Sequence, residues 1–79
     1  MTIQIVGSGC SNCARLEASA RKAVADLGLE AQIEKVTDFL EIAAMGVMAT
    51  PALAINGNLK SSGRVLSPAQ VADILKDEI

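Results

Sequence analysis

The chain has no histidine, no tryptophan and no tyrosine, and a single aromatic residue, Phe39, among its 79 positions. So few aromatics leave no stacking platform for nucleotides or single-stranded nucleic acid. The formal charge of −2 supplies no basic patch for a phosphate backbone. No apolar run approaches the ~18 residues of a membrane span, and the N-terminus lacks the basic start and long apolar stretch of a signal peptide. We therefore expect a cytoplasmic protein with neither nucleic-acid nor membrane partners. The missing histidine also narrows metal chemistry, because two cysteines are too few for the four ligands of a structural zinc site. A dimer pooling four thiolates, or a two-thiolate Cu(I) site, stays open on ligand chemistry.

What the chain does have is aliphatic. Half of it is hydrophobic, mostly Ala, Val, Ile and Leu, so the core must be aliphatic too. At this length a single domain over residues 1–79 is expected, near the lower end of sizes that fold unaided.

The two cysteines stand together in Cys10-Ser11-Asn12-Cys13. Thr2 to Val6 reads as a strand, Gly7-Ser8-Gly9 as a turn, and the chain from Ala14 onward as a long helix. Cysteines at i and i+3 lie about one helical turn apart, close enough for their sulfurs to bond. Cys10 falls at the helix N-terminus, where unpaired N–H groups and the helix dipole favour a thiolate, the form that attacks disulfides and binds soft metals. Cys13 falls on the apolar face. That asymmetry predicts an exposed attacking thiol, Cys10, and a sheltered resolving thiol, Cys13. A purely structural bridge would close a tiny loop and remove little unfolded-state entropy. A C-x-x-C at a strand-to-helix junction in a chain without an export signal reads as a redox motif.

Further along, Cys13, Leu16, Ala20, Val24 and Leu27 recur at helical spacing, and Gly28 suits the helix end. Leu29, Ala31 and Ile33 alternate with polar residues as in a half-buried strand, with Val36 out of phase, so the spacing predicts a strand that ends or bulges at Lys35. Asp38 with Glu41 resembles a helix cap, followed by a short helix over Leu40 to Met45 and a stop at Gly46. Ala52 to Ile55 is a continuous apolar run, as in a strand covered on both faces. Asn56-Gly57 is a two-residue hairpin signal, so residues 58–62 should return antiparallel. Ser67-Pro68-Ala69-Gln70 combines an N-cap, proline at N1 and Gln at N3 ahead of Val71, Ile74 and Leu75. The expected fold class is α/β, in the order β-α-β-α-β-β-α, with a mixed four-stranded sheet and helices on both faces.

That order, with C-x-x-C opening the first helix and Thr50-Pro51 before the third strand, resembles the thioredoxin-like fold. More narrowly, the stretches Ile3 to Cys13, Leu16-Glu17 and Gly46 to Leu53 resemble the small, glutaredoxin-sized thioredoxin-like proteins of archaea and bacteria of the redox-active disulfide protein 2 type. The resemblance implies a cis bond between Thr50 and Pro51 beside the cysteine pair, with Thr50, Pro51 and Gly63 forming a substrate groove. It implies a thiol–disulfide oxidoreductase that cycles a Cys10–Cys13 dithiol and disulfide to reduce protein disulfides. Its partners would be disulfide-containing proteins and a thioredoxin-reductase-like electron donor, and a monomer is expected. No bound cofactor is needed, because the disulfide itself carries two electrons.

The chain departs from the wider family in several places. Gly9 stands where larger thioredoxins carry Trp, and Ser11-Asn12 replaces Gly-Pro. No acid occurs in the first strand, where Gln4 is the only polar candidate to manage a buried cysteine's proton. Ser61-Ser62-Gly63-Arg64-Val65 stands where glutaredoxins place a glycine pair and an acid that bind glutathione. Arg15, close after Cys10, reads as solvated surface rather than as support for the thiolate. Met45 and Met48 read either as core filling or as an adaptable docking rim. The rival reading is a Cu(I) or Zn module using the same two thiolates. Heavy-metal-associated domains also place C-x-x-C ahead of a first helix, but they run β-α-β-β-α-β, whereas this chain closes on a capped helix.

Overall fold

The computed structural model describes residues 1–7 and 11–78. The expected turn at Ser8-Gly9 and the position of Cys10 at a helix tip lie outside the described residues. The elements run β1 (Thr2–Val6), α1 (Ser11–Leu27), β2 (Gln32–Val36), α2 (Phe39–Ala44), β3 (Ala52–Ile55), β4 (Asn58–Ser62) and α3 (Pro68–Glu78). They form one mixed sheet in the order β2-β1-β3-β4, with β1 parallel to β2 and antiparallel to β3. This is the thioredoxin-like architecture the sequence led us to expect.

Local chemistry fixes most of the boundaries. The Asp38 carboxylate accepts from the N–H groups of Leu40 at 2.8 Å and Glu41 at 3.4 Å, satisfying donors that the start of a helix leaves unpaired. Ser67 and Gln70 cap each other: the Ser67 N–H donates to Gln70 Oε1 at 2.8 Å, and the Gln70 N–H to Ser67 Oγ at 3.2 Å. Asn56 and Gly57 adopt φ of 52° and 86°, the left-handed pair that a tight hairpin of matching twist requires. The Asn56 side chain also ties the hairpin to the sheet by accepting from the Thr2 N–H at 2.8 Å.

The second strand corrects the reading from periodicity. It begins at Gln32 rather than Leu29, and it continues without a break through Lys35 to Val36, which pairs with Val6. Val36 is out of phase because the strand makes apolar contacts on both of its faces. Ile33 packs against the core beneath α1 and α3, and Val36 against the core beneath α2. Strand alternation read against a single buried face cannot anticipate that. The first helix likewise begins at Ser11, ahead of Ala14.

The main core lies between the sheet and the α1–α3 pair. Ile3, Ile5, Leu53 and Ile55 meet Leu16, Ala20, Ala23, Val71 and Leu75 there. A smaller core of Val6, Val36, Ile42 and Ala52 fills the other face. The one aromatic side chain, Phe39, stays 81% exposed, so the core is aliphatic as composition demanded. Among the described residues no helix is long and apolar enough to cross a membrane.

Candidate functional site

The C-terminal ends of β1 and β2, the first turn of α1 and the loop before β3 converge at one edge of the sheet. Cys13 is the third residue of α1 and is buried, 6% exposed. Gly7 follows β1 directly, and its N–H donates to the Val36 carbonyl at 2.9 Å. A Cβ on Gly7 would collide with Cys13 Sγ and would lie 3.6 Å from Thr50 Cβ. The bare glycine is therefore what lets the thiol and the Thr50 side chain both close on the end of the strand.

Thr50-Pro51 is a cis peptide, as the resemblance implied. Ala52 pairs with Val6, so Pro51 lies beside Gly7 across the strand pair. The Pro51 carbonyl accepts from the Gly63 N–H at 2.9 Å. Gly63 sits at φ 71°, where a side chain would be strained, and a Cβ there would come within 3.0 Å of Ala49 Cβ. Cys13, Thr50, Pro51 and Gly63, four of the residues picked out from sequence, thus share one region. The fifth, Cys10, lies outside the described residues. Arg15 is exposed and lines a separate hollow with Val65, Ser67 and Gln70.

Two further groups join the site that sequence reasoning did not assign. A cavity of about 120 Å³ beside Cys13 is lined by Ile5, Gly7, Glu17, Lys35 and Thr37. Glu17 is four residues on from Cys13, the spacing of neighbours on a helical face. Its carboxylate lies 3.0 Å from Lys35 Nζ and accepts from Arg21 Nε at 2.9 Å. Those bonds, Lys35 first and then Arg21, hold the Glu17 carboxyl below its ordinary value of 4.5. The ion pairs therefore add stability above that ordinary value, and the contribution is lost as pH falls through the lowered one. The i, i+4 spacing was the available signal for Glu17. Lys35 needed the pairing of Ile5 with Lys35 in the parallel register. Gln4, the polar candidate in β1, faces the other way, toward a hollow lined by Glu34, Val36 and Glu41.

On the α2 side of the Thr50 loop the surface is apolar and open. Phe39, Ile42, Val47, Met48, Ala49 and Thr50 line a hollow of about 230 Å³. Leu40 and Met48 are 76% and 94% exposed. Met48 therefore belongs to the surface, while Met45 packs against the smaller core. Among the described residues no group of three or more Cys, Asp or Glu side chains converges as a metal site would require. The observed order of elements is also not that of heavy-metal-associated domains.

A family model described as a thioredoxin domain matches residues 1–76. A protein named thioredoxin from Methanothermobacter thermautotrophicus is 47% identical over 75 residues, covering 95% of this chain and 97% of that protein. A second protein of the same name, from Methanocaldococcus jannaschii, is 37% identical over 76 residues, covering 96% of this chain and 87% of that protein.

Proposed function

The chain belongs to the thioredoxin domain family, whose general chemistry is thiol–disulfide oxidoreduction, and from that premise we propose that it reduces protein disulfides as a small electron carrier. Cys10 is the attacking thiol. Its thiolate displaces one sulfur of a target disulfide, and that sulfur leaves as a thiolate and takes a proton from solvent. Cys13 then attacks Cys10 in the mixed disulfide, forming the Cys10–Cys13 bond and releasing the second target sulfur with its electron pair. The target gains two electrons and the protein's dithiol loses them. A thioredoxin-reductase-like donor returns them, and the cytoplasm, where thiols are kept reduced, is the compartment that suits the cycle. The protein works as a monomer in this reading.

The observation that carries the reading is the burial of Cys13 against Gly7, with Thr50 approaching the same glycine. A sheltered thiol one turn into the helix suits resolution of a mixed disulfide rather than first attack. Thr50, Pro51 and Gly63 form the groove floor, where proline offers no N–H and the Thr50 backbone can pair with an extended substrate segment. The exposed Phe39, Leu40 and Met48 surface beside it suits apolar residues flanking a target disulfide.

Paired cysteine variants test the proposal. Cys13→Ser should accumulate mixed disulfides with a disulfide-bearing protein such as insulin, whereas Cys10→Ser should form none and reduce nothing. Faster trapping by Cys10→Ser would reverse the assigned roles. Tight stoichiometric Cu(I) or Zn binding by the reduced protein, with no reductase activity, would favour the metal reading instead.

A further inference from the structure

The hollow between α1 and the start of α3 is lined by a guanidinium and a buried hydroxyl, and no acid stands among its walls. We propose that it receives an acidic side chain, Asp or Glu, of the protein whose disulfide is reduced, so that targets with a carboxylate close to the exchanging disulfide bind more tightly. This rests on the exchange reading and narrows its substrate class.

The helix period divides α1 into two flanks. At about 100° per residue, Cys13 and Glu17 fall on one side of the buried Leu16, and Arg15 and Ser19 fall on the other, toward α3. There Arg15, Ala18 and Ser19 meet Val65, Leu66 and Pro68 around a space of about 480 Å³. Strand direction puts this space at the edge of the sheet that carries the thiol. β3 runs antiparallel to both β1 and β4, so α1, which follows β1, and α3, which follows β4, start from the same edge. Arg15 is two residues past Cys13, and Val65 is two residues past Gly63, whose N–H is bonded to the Pro51 carbonyl. Two residues of chain span no more than about 7 Å, within reach of side chains that neighbour a disulfide held across Thr50.

Three observations converge on an anion. Ser19 is 9% exposed, and its hydroxyl has no hydrogen-bond partner among the described residues. A buried hydroxyl left unmatched is costly, and an oxygen entering the hollow would satisfy it. Second, Arg21, Lys22, Lys35 and Lys60 are tied to carboxylates, whereas Arg15 and Arg64 are exposed and have no carboxylate partner among the described residues. Arg64 immediately precedes Val65 in the loop that forms one wall. A guanidinium fork matches the two oxygens of a carboxylate. Third, α3 turns the positive end of its dipole to this place. Pro68 has no N–H, and the N–H groups of Gln70 and Val71 go to the Ser67 hydroxyl and carbonyl, which leaves the Ala69 N–H as the spare donor of that turn. Ala18, Val65, Leu66 and Pro68 offer apolar contact to the methylenes of an Asp or Glu side chain. Because Arg15 lies in solvent, screening keeps the preference to a few-fold.

The test uses peptides closed by one disulfide and matched except for Glu or Gln at a position up to about three residues from either cysteine, about 10 Å of chain. At low salt the unaltered protein should reduce the best-placed Glu peptide with a KM about threefold below that of its Gln partner, with kcat unchanged, and the gap should close at about 0.5 M salt. Arg15→Gln should erase the gap, Ser19→Ala should narrow it, and Arg15→Glu should invert it in favour of a Lys peptide. Lys76→Gln, in the last turn of α3, should keep it. In the chain carrying Cys10→Ser, which cannot exchange, the amide NMR signals of Ser19 and Ala69 should shift with the Glu peptide and stay in place with the Gln peptide. Equal KM values at every position, a preference that survives Arg15→Glu, or amide shifts that ignore the peptide's charge would overturn the proposal. Because the amide shifts need no chemistry, that failure is distinguishable from a failure of the exchange reading, which would appear as no reduction of any peptide by the unaltered protein.

Discussion

One face of the sheet carries two helices of 17 and 11 residues, α1 and α3, over a core that includes Leu16, Leu53, Ile55, Val71 and Leu75. The other carries α2, six residues long, over Val6, Val36, Ile42 and Ala52. The first face buries its central large apolar side chains and half-buries those around them, such as Val24, Leu27 and Ile74. The second leaves Phe39, Leu40 and Met48 in solvent. The difference teaches that the two sides are packed unequally, and under the proposed function the first side serves stability and the second recognition. A thin cover secures little, but it leaves apolar surface beside the Thr50-Pro51 loop. Gly7 and Cys13 lie at the end of β1, where the heavily packed α1 and the Thr50 loop come together. Regions with few buried apolar contacts open most readily, which places local motion on the α2 side.

The strongest way to break this division is to empty each core in turn. Leu16→Ala should cost about 2–5 kcal/mol, and Ile42→Ala should fall at or below the lower end of that range, because a small, partly open cluster relaxes more easily. Urea unfolding followed by circular dichroism gives both values. Equal losses would show that the α2 face contributes as much as the α1–α3 face. Gly7→Ala comes next, at about 1–3 kcal/mol for overpacking against Cys13. It should depress disulfide exchange more than its stability loss explains, since the thiol itself must shift. The smallest effect on stability is expected for Phe39→Ser, within about 0.5 kcal/mol. It should nonetheless raise KM for a protein disulfide while leaving a small-molecule disulfide unaffected. A matching change for both substrates would remove the apolar surface from the account of recognition.

Much of this molecule was legible in short stretches of sequence because local chemistry sets those stretches. The Asp38 cap, the Ser67–Gln70 box and the Asn56-Gly57 hairpin each depend on three or four consecutive residues. The β2 boundary did not follow from its own alternation. Pairing with β1 decides where the strand starts, and the packing of α2 decides that Val36 is buried. The site divides in the same way. Cys13, Thr50, Pro51 and Gly63 were reached through the motif and the family resemblance. Gly7 looked like an ordinary turn glycine, and its closeness to Cys13 Sγ depends on how α1 returns to the sheet. Lys35 meets Glu17 only because a parallel register places it beside Ile5, and no local pattern encodes that register.

The central claim is that Cys10 and Cys13 form one reversible two-electron couple. Equilibrating the protein in dithiothreitol or glutathione buffers of graded potential, then trapping thiols and weighing the products, tests it directly. The account predicts a single transition with a slope of about 30 mV per decade, between a monomer with two alkylated thiols and a monomer lighter by both labels, with the disulfide mapped to Cys10–Cys13. Oxidation that yields only intermolecular dimers or glutathione adducts, with no intramolecular bond at any potential, would contradict it.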